Sequence, residues 1–383
     1  MKILLVVPHL ISFKAFLREF CRSAIDFGDE VLVVTSIPED GIDKRSAASG
    51  ARFLPISFPR GMNLIAHFYA ARHFNQIVQR ETPDIIQVHF SAATFTVALA
   101  RRPSWPPVIA TIQGMVFPLS TGIKKSVMRA AESFAFRRMD AVWVLTDDDH
   151  VQLRRLVGPE RAFRQQSPGF GCDLNRFNPE QISESQRESL RNRLGIPPGD
   201  FIFIFVGRKV AFKGYPTVIR AFLEINSANW NAHLICLGPR DPLHPSGLTD
   251  SESAQIKSEL RIHDLEYSED VAVFLGISNC MIFPSQREGM AVSLMEALAM
   301  GIPVITTDAR GCGDIVRHGI DGWILQKGSV SEFATAMEKL LADPAQTRRF
   351  SKAALRDRSR FSRDLFVREN RDIISSWSLK KNT

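Results

Sequence analysis

Four side chains in the second half of the chain have the types and spacing to bind a phosphorylated ligand: Arg208, Lys213, Glu288 and Glu296. Arg208 and Lys213 lie in GRKVAFKG, at the end of the apolar run FIFIFVG (201–207). Two cations and two glycines at the carboxyl end of a parallel strand read as a phosphate clamp, with Arg a planar fork and Lys a compact point charge. A solvated basic turn is the other reading. Glu288 lies in PSQREGMAVSLMEALAMG, in the loop between a strand over 280–285 and a helix beginning near Met290 to Val292. Such a helix start points unpaired backbone N–H groups at phosphate oxygens and at charge developing on a leaving group. Gly289 permits close approach. Glu296 interrupts the apolar positions Leu294, Ala297, Leu298 and Met300 of that helix. There it is either a surface residue or a carboxylate accepting hydrogen bonds from two ribose hydroxyls. Glu288, nearer the reacting end, can hold sugar hydroxyls.

In the first half, His89 ends the strand pattern IIQVH. It is read as a polar group of a ligand cleft or as a satisfied structural histidine. The segment after the first strand, Pro8 to Phe13, carries no GxGxxG, which argues against a dinucleotide-binding first domain. GxxxxGK[ST], HExxH and GxSxG are also missing from the sequence. No acidic pair is placed to hold a divalent ion. Asp147-Asp148-Asp149 opens a helix and reads as capping and charge–dipole stabilisation.

These residues need a scaffold, and the hydrophobic pattern supplies it. Strands are predicted at 3–7, 31–35, 84–89, 107–114 and 141–146, with helices at 14–27, 63–80 and 122–138. The pattern restarts with strands at 201–207, 232–238, 280–285 and 303–308 and a helix at 216–226. This alternation is βα grammar with buried parallel strands. The chain of 383 residues, 45% hydrophobic and 23% charged, fits two globular domains. The expected division is a first Rossmann-like domain over 1–172, a linker over 173–198, a second Rossmann-like domain over 199–360 and a C-terminal segment over 361–383. That last segment is either a helix packing back across the domains or a solvated tail. Two such domains make a cleft, with ligands at the carboxyl ends of their strands.

Five cysteines lie far apart without CxxC pairs, the pattern of reduced, mostly buried thiols in a cytosolic compartment. The apolar opening MKILLVVPHLI reads as a buried strand rather than a signal peptide. No uncharged stretch reaches the roughly 18 residues of a membrane span. The net charge of +7 suits anionic lipid or a phosphorylated substrate, and no nucleic-acid module accompanies it.

With these motifs in place, the chain resembles the retaining glycosyltransferases of family 4, which have the GT-B fold: two Rossmann-like domains facing each other across a cleft. GRKVAFKG, FPSQREGMAVSLMEALAMGIPVITTD and GCGDIVRHGIDGW carry the resemblance most specifically. PDIIQVHF, ATIQGM and SPGFGCDLNRFNP carry it more loosely. The resemblance implies that Arg208 and Lys213 bind the donor diphosphate, Glu296 the ribose, and Glu288 the reacting face of the sugar. The backbone amides of Gly289, Met290, Ala291 and Val292 would contact sugar and phosphate. The base would stack in a loop near Arg261 to Asp264, with His263 at hand. One position departs from the family: Gln113, in Thr111-Ile112-Gln113-Gly114, stands where a His is usual. Gln can donate to a sugar hydroxyl but cannot serve as acid or base at neutral pH. A retaining transfer in which the leaving phosphate helps deprotonate the acceptor needs no protein base there.

The expected reaction is therefore metal-independent transfer from a UDP-sugar, without a further cofactor. The acceptor meets the first domain. Residues 122–138 combine Lys124, Lys125, Arg129, Arg137 and Arg138 with Val127, Met128, Phe134 and Phe136. This is either a basic amphipathic helix for an anionic membrane surface, with Leu64, Ile65, Phe68, Tyr69 and Arg72 adding to it, or an ordinary domain helix. TIQGM followed by this helix resembles members that extend undecaprenyl-diphosphate-linked saccharides in O-antigen and capsule synthesis at the inner face of the cytoplasmic membrane. A soluble relative acting on a small metabolite or sugar phosphate is the alternative.

Overall fold

The computed structural model describes residues 1–59, 61, 63–226, 231–242, 244–326 and 329–379. They form two compact units, Met1–Phe170 with Asp364–Thr383, and Gly171–Arg363.

The first unit is built on seven parallel strands: β1 (Lys2–His9), β2 (Glu30–Ser36), β3 (Arg52–Pro55), β4 (Ile85–His89), β5 (Val108–Ile112), β6 (Ala141–Val144) and β7 (Ala162–Arg164). Their order is β3-β2-β1-β4-β5-β6-β7. Both faces are covered, so the strands read as unbroken apolar runs. Leu4 and Val6 pack on one face with Phe74, Ile77 and Phe136. Ile3, Leu5 and Val7 pack on the other with Phe13, Leu17 and Phe20. The predicted helix 14–27 is instead three helical pieces from Leu10, with a π-helical turn at Phe13–Leu17 before Arg18–Asp26. The C-terminal segment is the helix Arg363–Leu379. It completes the second face with Phe366, Val367 and Ile374, and Asn370 accepts from Gln87 at 2.7 Å. That removes the tail reading for this helix; residues 380–383 lie outside the described residues.

The second unit holds six parallel strands: β8 (Phe201–Val206), β9 (Ala232–Leu237), β10 (Ile262–Leu265), β11 (Cys280–Phe283), β12 (Val304–Thr307) and β13 (Gly322–Leu325). Their order is β10-β9-β8-β11-β12-β13. Residues 173–198 are not a linker. They contain the helix Glu184–Leu194, opened by a Ser183–Gln186 capping box and closed by left-handed Gly195. Phe177, Ile182, Leu190 and Ile196 are buried in this unit's core. The two passages of the chain are tied side by side: the Cys172 amide donates to the Phe361 carbonyl at 2.8 Å, and the Arg363 amide to Cys172 at 3.0 Å. Gly171 has φ +60°, and a Cβ there would meet the Arg363 backbone at 2.8 Å.

Candidate active site

In each sheet the strand order reverses direction once, between β1 and β4 and between β8 and β11. Such switch points open a crevice at the carboxyl ends of the strands. In the second unit, the loops leaving β8 and β11 carry Arg208, Lys213 and Glu288, and the helix after the second loop carries Glu296.

The two loops are locked together. The Gln286 amide donates to the Phe212 carbonyl at 2.9 Å. Gly214 has φ +79° and lies so close to the Pro284 carbonyl that a Cβ could not fit. Lys213 Nζ is thereby placed 2.5 Å and 2.6 Å from the two carboxylate oxygens of Glu288. Ser285 Oγ donates to Glu288 Oε1 at 2.7 Å. Arg208 is half-exposed, paired with Asp241 at 2.5 Å. Its guanidinium lies 5.5 Å from the Phe212 ring centroid, and Arg287 lies 4.7 Å from the same ring. The structure thus brings Lys213 and Glu288 together, with Arg208 on the same loop as Lys213 and turned to Asp241 and Phe212.

The helix that follows spans Val292–Ala299, without a side-chain cap at Ala291. One expectation is corrected here. The Ala291 amide already donates to the Gly311 carbonyl at 3.1 Å, so it is not offered to a ligand. Gly311, at φ +74°, turns so close to Gly289 that a Cβ would sit 2.7 Å from the Gly289 carbonyl oxygen. Gly289, Met290 and Val292 keep their place at the helix start. Glu296 is half-buried in this helix. Burial lifts its carboxyl to about 7, against the opposing pull of Arg176 and Arg363.

The expected base loop near Arg261 to Asp264 is also corrected. Residues Ile262–Leu265 are strand β10, and the turn at its carboxyl end starts at Glu266. His263 is one residue in from the amino end. Its Nε2 is 3.1 Å from His233 Nδ1, the two rings are stacked, and His233 Nε2 is 3.1 Å from Asp200. Burial, with the neighbouring His233, lowers His263 to about 4. Its ring is committed to this pair, away from the strand's carboxyl end.

Sequence reasoning missed Lys209. It is fully buried and pairs with Asp264 at 2.9 Å, which also accepts from Tyr215 at 2.9 Å and from Arg240 at 3.1 Å. The pair ties the carboxyl ends of β8 and β10 together behind Arg208. A lysine between two catalytic-looking cations gives no sequence signal of burial.

In the first unit, His89 ends β4 and is fully buried; burial depresses it to about 3. Its Nδ1 is 3.0 Å from the Gln113 amide nitrogen. That nitrogen can only donate, so Nδ1 accepts and the proton sits on Nε2. Gln113 Oε1 accepts from the Phe90 amide at 2.9 Å and so braces Phe90, a non-glycine residue at φ +70°. The structure joins His89 and Gln113, but both polar atoms of the Gln113 side chain are used inside the unit. A histidine held neutral in this way keeps an Nε2–H without a partner among the described residues and does not exchange protons near pH 7.

The predicted basic helix is Gly122–Arg137, and it divides into two parts. Arg137 donates to the Leu156 carbonyl at 2.9 Å and Arg138 to Ala98 at 2.8 Å, each closing the end of a neighbouring helix. The amino-terminal half keeps Lys124, Lys125 and Arg129 with exposed Ile123 and Val127. Glu132, its single acid, is buried and accepts from the amides of Val116 and Phe117 and from Ser91 Oγ, at 2.9, 3.0 and 3.0 Å. Asp147 to Asp149 form the first turn of a helix capped by Thr146. No helix among the described residues is long and apolar enough to cross a membrane.

Comparison with known proteins places this geometry. Residues 186–357 match the family "Glycosyl transferases group 1", and residues 14–165 the "Glycosyl transferase 4-like domain". The chain is 21% identical over 363 residues to N,N'-diacetylbacillosaminyl-diphospho-undecaprenol alpha-1,3-N-acetylgalactosaminyltransferase of Campylobacter jejuni, covering 92% of each chain. It is 24% identical over 300 residues to UDP-Gal:alpha-D-GlcNAc-diphosphoundecaprenol alpha-1,3-galactosyltransferase of Escherichia coli, covering 76% of this chain and 75% of that one. The crystal structure of Anabaena Alr3699/HepE in complex with UDP superposes with a TM-score of 0.80 at 18% identity, covering 98% of this chain and 100% of that one. The two Rossmann-like α/β units are those of the GT-B fold.

Proposed function

The chain is a glycosyltransferase of the GT-B fold related to these groups, and from that premise we propose that it moves a hexose or N-acetylhexosamine, with retention, from a UDP-sugar to a polyprenyl-diphosphate-linked saccharide. The observation that carries this reading is the Lys213–Glu288 pair, on the two loops that leave the switch point of the second sheet, one of which also carries Arg208. Cations and a carboxylate in contact suit a ligand that is anionic at its diphosphate and hydroxyl-rich at its sugar.

The residues act as follows. Arg208 and Lys213 hold the diphosphate, with the amides of Gly289, Met290 and Val292 at the start of an uncapped helix. Glu296 accepts the ribose hydroxyls. Glu288 holds sugar hydroxyls on the reacting face. The bond from the anomeric carbon to the phosphate oxygen breaks, and the acceptor oxygen bonds to that carbon on the same face. The acceptor's proton passes to the departing phosphate oxygen, giving UDP and an alpha-linked product. Arg208 and Lys213 stabilise charge that grows in the transition state, where fixed cations contribute most. Neutral His89 lends a donor rather than a base, which matches a route with no protein base and no metal. Relatives named for undecaprenyl-diphosphate acceptors support the acceptor class, with a place in bacterial surface-polysaccharide synthesis. The exposed Ile123, Val127, Leu64, Ile65, Phe68 and Tyr69, with Lys124 and Lys125, support contact with the anionic inner face of the cytoplasmic membrane.

The test is a panel of UDP-, GDP- and dTDP-sugars, with and without an undecaprenyl-diphosphate-linked saccharide, following nucleotide release and lipid-linked product. Lipid-dependent turnover with one UDP-sugar is expected. Turnover only with a soluble sugar or sugar phosphate would refute the acceptor and leave the transferase.

A further inference from the structure

The helices Leu64–Glu81, Ser91–Ala100 and Gly122–Arg137 pack side by side on one face of the first sheet. Between them runs a groove of about 350 Å³, lined by Ala92, Phe95, Val116, Met128, Ala131 and Ala135. It begins at Ser91, two residues beyond His89, and so opens at the carboxyl edge of the sheet. Its polar floor is already satisfied. Glu132 accepts from two amides and Ser91, and His67 is bonded to Thr96 Oγ1 at 2.8 Å and the Gly61 carbonyl at 3.0 Å. A saccharide subsite would present unmet donors and acceptors; this one presents carbon. Its rim is cationic: Lys124 lines it, with Lys125 and Arg129 on the same helix, and residues 64–72 opposite carry no acid.

We propose that this groove holds the first isoprenoid units of the acceptor lipid, with the acceptor diphosphate against the lysine rim. The inference rests on the lipid-linked acceptor of the preceding subsection and adds a site for its hydrocarbon. Apolar walls take the chain out of water, and the rim complements the anion that joins the chain to the saccharide. The saccharide then projects toward the sheet edge that carries His89. The bilayer's own acyl chains are the competing occupant, and they would need no diphosphate.

The experiment is calorimetric titration of the full chain, without vesicles and below micelle-forming concentrations, with farnesyl diphosphate and with methyl diphosphate. Farnesyl diphosphate is expected to bind on the order of tenfold more tightly or better, since several methylenes are buried. Ala131→Trp, which fills the groove, and Met128→Asp, which charges it, should each abolish that advantage while UDP affinity stays unchanged. Native-like circular dichroism and a cooperative denaturation transition of the first unit report that both variants are folded. Equal binding of the two diphosphates, or an advantage that survives both variants, overturns the inference. So does loss of phosphatidylglycerol-vesicle binding in the variants with the farnesyl advantage intact, which would assign the surface to the bilayer. Turnover confined to soluble acceptors, with the farnesyl advantage present and groove-dependent, would refute the acceptor reading and leave the groove standing.

Discussion

Glu296 should make nucleotide binding depend on pH in a range where few carboxylates titrate. In the fold its carboxyl sits at about 7. Two ribose hydroxyls donating to it favour the ionised form and draw it back toward the ordinary range near 4.3. Binding must then expel whatever proton Glu296 carries. At pH 7 that is about half a proton, at pH 6 about nine-tenths, and at pH 8 about one-tenth. The same linkage lowers affinity about tenfold between pH 8 and pH 6, since each unit below 7 costs about 1.4 kcal/mol. The terminal phosphate of UDP also titrates near pH 6, so the measured quantity is the difference between the native protein and Glu296→Gln. Titrating UDP by calorimetry in buffers of different ionisation enthalpy gives proton release directly. Equal proton release by the two proteins at pH 7, or equal pH slopes of affinity, would refute the reasoning. Stability carries the opposite sign. A carboxyl raised in the fold contributes its stability at low pH and loses it as pH rises through about 7. Glu296→Gln should therefore stabilise the ligand-free protein at pH 8, by no more than about 4 kcal/mol, and roughly half that given the solvent reaching this half-buried group. Denaturant melts at pH 5 and pH 8 measure it.

Lys213→Ala should lower kcat by about 10²–10³, the loss typical of one fixed donor at developing charge, and steady-state turnover reads it. Restoring a cation with Lys213→Arg should recover only part, because the 2.5 Å contact with Glu288 leaves little room for a guanidinium. Gln113→Leu removes one of the two acceptors of the Phe90 amide, which keeps the Thr111 carbonyl at 3.2 Å, and removes the donor to buried His89. It should destabilise the first unit by about 1–3 kcal/mol, seen as a lower denaturation midpoint with UDP affinity unchanged.

Nine of the thirteen strands among the described residues were legible in the sequence, and the four missed were β3, β7, β10 and β13, which are the edges of the two sheets. A central strand is buried on both faces and reads as an apolar run. An edge strand is short and half-covered, so RFLP, AFR, IHDL and GWIL carry little pattern. Reading Arg261 to Asp264 as a loop, and giving His263 to the base, followed from that blind spot. The apparent linker failed differently: its polar composition is one face of a helix whose Leu190 alone is buried. The placing of Arg208, Lys213 and Glu288 on loops at strand ends was legible because such loops keep their spacing in the sequence. Lys209 and Glu132 were not, since only long-range partners show that a charge is buried.

The helix that closes the first sheet is encoded after the whole of the second unit. A ribosome making this chain finishes β1 to β7 some 200 residues before it makes Phe366, Val367 and Ile374. Until then the face holding Ile3, Leu5 and Val7 lacks its final cover, while the second unit emerges and can fold complete. The amino-terminal half is therefore the later of the two to mature, since it waits for the helix Arg363–Leu379.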